Sequence, residues 1–280
     1  MTKTVMLLFA LATASAFAAR AEDHVPGGPD TVVVQSGTVK LHALLWHPGG
    51  HGPFPAVLFN HGSGNTPENQ AAQAATVGPI FAKHGDVLLF VYRRGSGLSA
   101  DQGRSAIDLM NRELATYGQD ARNKLQLELL QTDQLTDALA ALAYLRALPE
   151  VDTHRVAVAG HSFGASLTLL IAERDSALRA AIAFSGSTAS WDHSPQLRAR
   201  LIEAVGRTTA PIFFIEAQND YSIAPAKTLS AEMERLGKPY RIKIYPPVGQ
   251  TAEDGHGFIF LRVGAWEHDV FDFLQECMRR

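Results

Sequence analysis

Four short stretches of this chain carry residues suited to breaking an acyl bond. Around position 162 it reads RVAVAGHSFGAS, which sets Ser162 between Gly160 and Gly164 in the pattern G-x-S-x-G. A serine hydroxyl is a weak nucleophile until a base takes its proton, and the base in turn needs a carboxylate to orient it and to stabilise its charged form. The five-residue pattern by itself also fits an ordinary serine N-cap. A buried strand running into Gly160 and a small-residue helix starting after Ser162 favour the nucleophile, because such a turn lifts the hydroxyl to the carboxyl edge of a sheet.

On that kind of turn the partners follow in the order acid, then histidine. The stretch PIFFIEAQNDYSIAP places Asp220 just past the end of an apolar run, where open sheets carry functional residues. Glu216 falls inside the run and is the weaker candidate, while Asp192 in SWDHSP follows the preceding run and competes with Asp220. Two histidines come later. His268 lies in a helical pattern near the C-terminus and reads as a surface residue, whereas His256 sits between Gly255 and Gly257 in a loop, free to swing toward Ser162. Asp254, two residues from His256, would have to fold back sharply to serve as the acid. His161 points away from the serine on such a turn and reads as a packed or hydrogen-bonding neighbour.

Acyl transfer also needs donors for the oxyanion. The backbone N–H of Phe163, after the nucleophile, supplies one, and the N–H of Ser63 in HGSGN, directly after the apolar run PAVLFN, supplies the second. Arg93 and Arg94, in VYRRGSGLS, close another run. They either tie loops together through a carboxylate or meet an acidic group of the substrate. Arg94 is the candidate for substrate contact, as is Trp191 in the 185–206 segment. That segment and the 95–124 segment are the places for a lid or an acyl pocket.

These residues need a scaffold. Two extended runs around Ser36-Gly37 predict a β-hairpin over 31–48. PAVLFN, DVLLFVY and RVAVAG are short and almost wholly apolar, as strands buried on both faces are, and RAAIAFS, PIFFIEA and YRIKIYP are three further strands. Helical patterns separate them, among them one helix over about 120–148, stopped by Pro149, and another over 264–280. The expectation is one α/β domain over residues 22–280, with a mostly parallel sheet of about eight strands and helices on both faces.

Composition narrows the function classes. With 46% hydrophobic and 19% charged residues and a net charge of −3, the chain has no basic excess for nucleic acid. No cluster carries a metal signature: His47, His51 and His61 flank a Gly/Pro turn at spacings no such motif uses. The chemistry requires no cofactor. Lys3, the apolar run Val5–Ala19 and the small residues after it have the order of a secretory signal peptide, assigned to residues 1–21. A secreted or periplasmic protein follows, with no stable membrane span once the leader is removed. Its single cysteine, Cys277, excludes an internal disulfide.

Taken together, PFPAVLFNHGSG, VYRRGSGLS, LPEVDTHRVAVAGHSFGAS, AQNDYSIAP and GHGF resemble the dienelactone-hydrolase-like branch of the α/β-hydrolase superfamily over residues 35–278. The resemblance implies the α/β-hydrolase fold, with Ser162, Asp220 and His256 as triad and Phe163 and Ser63 as oxyanion donors. Dienelactone hydrolases proper carry cysteine at the turn, and serine here moves the reading toward a carboxylesterase acting on small-molecule esters. The alternatives are a peptidase or amidase of prolyl-oligopeptidase-like type, using the same triad, and a catalytically silent binding protein on the same fold.

Overall fold

The computed structural model describes residues 28–64 and 66–279; the leader assigned to residues 1–21 lies outside them. Strand β1 (Asp30–Ser36) pairs antiparallel with β2 (Val39–Trp46), with Ser36 opposite Val39. The turn between them needs φ +58° at Gly37, a left-handed value that glycine adopts at little steric cost. Six more strands follow: β3 (Phe54–Asn60), β4 (Val87–Val91), β5 (Val151–His161), β6 (Ala180–Phe184), β7 (Ile212–Ala217) and β8 (Tyr240–Tyr245). They form one sheet in the order β1-β2-β4-β3-β5-β6-β7-β8. The strands from β3 onward run parallel, and the hairpin adds an antiparallel edge through β2 and β4.

The apolar runs are explained by burial on both sides. Along β3, Ala56 and Leu58 enter one apolar layer while Val57 and Phe59 enter the other, and all four are fully buried. Helices α4 (Asp133–Ala147), α5 (Phe163–Arg174), α6 (Pro195–Arg207) and α7 (Ala224–Arg235) cover the first layer. Helices α1 (Pro67–Lys83) and α10 (Val263–Met278) cover the second. The buried Trp266 of α10 satisfies its indole N–H on the Ile259 carbonyl at 2.8 Å, so the ring can be buried without an orphaned donor.

One expectation changes here. The single helix over 120–148 is two helices, α3 (Gln119–Gln131) and α4, broken at Thr132, which departs from helical geometry with φ −121° and ψ −107°. The Thr132 hydroxyl donates to the Glu128 carbonyl at 2.8 Å, a local bond that competes with the helical ladder. The 95–124 segment also holds structure of its own, a 3-10 turn over Gly97–Gln102 and helix α2 (Ala106–Tyr117) capped by Ser105.

Because β3 to β8 are parallel, their carboxyl ends share one edge, where an open α/β sheet places its ligands. Ser63, Arg93, Ser162, Thr188, Asp220 and His256 all follow strand ends there. Among the described residues no helix is long and apolar enough to cross a membrane.

Candidate active site

Ser162 links the end of β5 directly to α5, with φ +58° and ψ −119°. Non-glycine residues in such regions cost of order 1–3 kcal/mol and persist only where surrounding structure enforces them. Here the Ser162 N–H donates to the Phe184 carbonyl at 2.9 Å, and the two glycines let the turn close. A Cβ on Gly164 would lie 2.0 Å from the Asn60 carbonyl oxygen, and one on Gly160 would lie 2.4 Å from the Gly164 carbonyl oxygen. The glycines of the G-x-S-x-G pattern therefore serve close approach of helix, strand and loop.

The serine hydroxyl is 2.9 Å from His256 Nε2, and His256 Nδ1 is 3.0 Å from Asp220 Oδ1. The Asp220 carboxylate accepts from Nδ1–H, which leaves Nε2 bare to accept from the serine O–H. Asp220 is 8% exposed, and its Oδ1 also accepts the Tyr221 N–H at 2.7 Å. Burial pushes its carboxyl up, but bonds from His256 and Thr188 and the field of the imidazole outweigh that and hold it below the ordinary value. Thr188, absent from the sequence reading, places its hydroxyl 3.0 Å from His256 Nδ1. It is delivered by a turn after β6 in which Ser185 and Ser187 both take positive φ, and no sequence pattern marks it.

His256 ends a short helix, α8 (Ala252–His256), which α9 (Phe258–Leu261) follows, where the sequence suggested a free loop. Thr251 and Asp254 form a capping box that starts this helix, so Asp254 is spent on the Thr251 and Gln250 N–H groups. Gly255 gives closeness as well, since a Cβ there would lie 2.6 Å from the Asn219 backbone. The His161 Nε2–H donates to the His256 carbonyl at 2.8 Å, and the two rings lie 4.8 Å apart. Burial, and then repulsion from His256, lower the His161 pKa to about 3, so it is a neutral prop. Asp192 and His268 are exposed, and neither joins the cluster.

A cavity of about 70 Å³ over Ser162 is lined by Ser63, His161, His256, Glu253 and Phe260. Ser63 and Gly64 also line a cleft of about 820 Å³, whose far wall is built by the turn at Gly97 and by Ile107, Asp108 and Arg112 of α2. Arg94 and Trp191, expected at the substrate, are engaged elsewhere. The Arg94 guanidinium clamps the fully buried Asp137 carboxylate at 2.7 and 3.0 Å and reaches Asp133 at 3.0 Å. A buried carboxylate needs such a partner, and this contact is the one the loop-tying alternative for Arg94 expects. Trp191 is 3% exposed and belongs to the apolar layer with Leu197 and Leu201.

Comparison with known proteins follows the same lines. The sequence profile of the dienelactone hydrolase family matches residues 91–261. Over 160 residues the chain is 29% identical to the quorum-quenching protein AidA of Acinetobacter baumannii, covering 57% of this chain and 44% of that one. This chain thus spans less than half the length of that curated relative. The fold is similar to Est1E from Butyrivibrio proteoclasticus, with a TM-score of 0.64 at 18% identity, covering 89% of this chain and all of that one. It is similar also to the Pyrococcus furiosus esterase Pf2001, with a TM-score of 0.64 at 15% identity, covering 92% of this chain and 96% of that one. The Pyrococcus horikoshii acylaminoacyl peptidase gives 0.62 at 17% identity, covering 90% of this chain and 42% of that one.

Proposed function

The chain belongs to the dienelactone hydrolase family, and from that premise we propose that it is a serine hydrolase cleaving small carboxylic esters through an acyl-enzyme. The observation that carries this reading is the unbroken hydrogen-bonded series from Ser162 through His256 to Asp220, at 2.9 and 3.0 Å.

In the proposed cycle His256 Nε2 takes the Ser162 proton as Oγ attacks the ester carbonyl carbon. The carbonyl oxygen becomes an oxyanion facing the Ser63 and Phe163 N–H groups, and His256 returns the proton to the departing alkoxide as the C–O bond breaks. Water then repeats the sequence on the acyl-serine, releasing the acid and restoring Ser162. Asp220 holds the imidazole in the required tautomer and stabilises its charged form. The small cavity over Ser162 suits the reacting carbonyl, and the adjoining cleft takes the larger substituent. The leader-like N-terminus supports action outside the cytoplasm.

The test pairs fluorophosphonate labelling with hydrolysis of matched p-nitrophenyl esters and p-nitroanilides. Wild type is expected to label and to cleave esters, and Ser162→Ala to do neither. Cleavage of the anilides at rates matching the esters would make the protein an amidase, and an unlabelled, inactive folded wild type would remove the enzyme reading altogether.

A further inference from the structure

We propose that Arg93 is a positioning residue of the oxyanion site: its buried guanidinium anchors the carbonyls of His61 and Gly62 and so turns the Ser63 N–H toward Ser162. The proposal rests on the ester-hydrolase reading above.

Arg93 follows β4, beside the end of β3, and is 1% exposed. Its Nε donates to Gln134 Oε1 at 2.9 Å, which fixes the plane of the fork. Its Nη2 donates to the His61 carbonyl at 2.8 Å and reaches the Gly62 carbonyl at 3.4 Å. His61 reinforces the second anchor. The Arg93 backbone N–H donates to His61 Nε2 at 3.3 Å, so the ring proton sits on Nδ1 and is given to the Gly62 carbonyl at 2.6 Å.

A trans peptide plane points its C=O and N–H in opposite directions. With the Gly62 carbonyl held on the Arg93 side, the N–H of Ser63 is aimed the other way. It has no acceptor among the described residues, and Ser63 lines the cavity that holds Ser162 and His256. The loop is close enough for this to matter, since a Cβ on Gly62 would lie 3.4 Å from Ser162 Cβ.

The other half of the oxyanion site is touched too, because the guanidinium carbon lies 5.8 Å from the centre of the Phe163 ring. An arginine that merely ties loops meets a carboxylate, as Arg94 does with Asp137. Arg93 has no carboxylate within ion-pair distance among the described residues, and its Nη1 has no protein partner. Its close partners are neutral and the Asp137 carboxylate acts on it only from beyond ion-pair distance, and a buried cation held that way is costly. Burial lowers its pKa to about 9, which still leaves it charged at neutral pH. That charge, in a region of low dielectric behind the site, favours negative charge developing on the substrate oxygen.

The experiment compares wild type, Arg93→Met, Arg93→Lys and Ser162→Ala in ester kinetics. It also measures affinity for an alkylboronic acid, which bonds to a catalytic serine as a tetrahedral anion. Arg93→Met is expected to lower kcat about 10²-fold, the scale of losing one oxyanion donor, with KM within about threefold of wild type. Boronate affinity should fall by a similar factor, and Arg93→Lys, which keeps the charge but not the fork, should lie between.

A folded Arg93→Met with wild-type kcat, or with lowered kcat but unchanged boronate affinity, overturns the proposal. Should Arg93→Met not fold, Arg93→Lys decides, and wild-type behaviour in both readouts then overturns it. Full ester activity in Ser162→Ala would mean instead that the underlying hydrolase reading is wrong.

Discussion

Glu216 in β7 and Asp220 just beyond its end are two carboxyl groups on one strand terminus, held in opposite protonation states. Glu216 is 1% exposed; its Oε1 accepts the Ala226 N–H at 3.3 Å, and its Oε2 has no partner among the described residues. Burial, and then the charge of Asp220, push the Glu216 carboxyl up to about 9, while Asp220 is held below the ordinary value. At neutral pH one is an acid and the other a carboxylate, so only Asp220 presents charge to His256.

A pH dependence of stability follows. Between the unfolded value near 4.5 and the folded value near 9 the native state binds more protons at Glu216 than the unfolded chain does. This group therefore makes stability fall as pH rises through that window. Glu216→Gln removes the effect. Thermal melts should show variant and wild type alike near pH 5 and the variant higher near pH 9 by at least about 3 °C, the shift of roughly 1 kcal/mol in a chain of this size. Parallel curves across the range would contradict the assignment.

Which carboxylate serves His256 in the proposed triad can be identified by exchange. Asp220→Asn should cost about 10⁴-fold in kcat, because the amide favours the wrong imidazole tautomer. Asp192→Asn, on an exposed side chain, should leave kcat within about twofold. The reverse pattern in steady-state kinetics would transfer the role to Asp192.

Gly164 is the position where the turn tolerates least. With a Cβ 2.0 Å from the Asn60 oxygen, Gly164→Ala must push α5 off the loop after β3. Such overpacking costs typically 1–3 kcal/mol or more. A melting temperature lower by at least about 3 °C, with reduced labelling by fluorophosphonate, is the expected result; an unchanged melt would show that the loop yields.

Chain-length preference should depend on the wall of the large cleft. Ile107 of α2 lies in contact distance of Gly64, its Cγ1 3.7 Å from where a Cβ of Gly64 would stand. Ile107→Trp should narrow the cleft and lower kcat/KM for octanoyl esters at least about tenfold while leaving acetyl esters within about threefold, the discrimination a hydrophobic contact supplies. Equal losses on both substrates would place the long chain elsewhere.

The sequence by itself determined the eight-stranded sheet, since apolar runs of strand length between helical patterns have few other ways to be buried. It also set the order of Ser162, Asp220 and His256, because parallel strands bring their ends to one edge wherever they lie in the chain. It did not reveal that Thr132 breaks a helix or that Thr251 and Asp254 start one under His256, since both rest on local bonds that compete with periodicity. The sequence favoured Asp220 over Asp192 and Asp254 by its place just past a strand, but only the tertiary structure shows which of the three lies against His256 Nδ1. It likewise split the pair Arg93-Arg94. Arg94 reaches a buried carboxylate from α4, while Arg93 points under the loop after β3 and bonds carbonyls from a distant part of the chain. Identical adjacent side chains differ only in what the fold packs around them, and that depends on contacts among residues far apart in sequence.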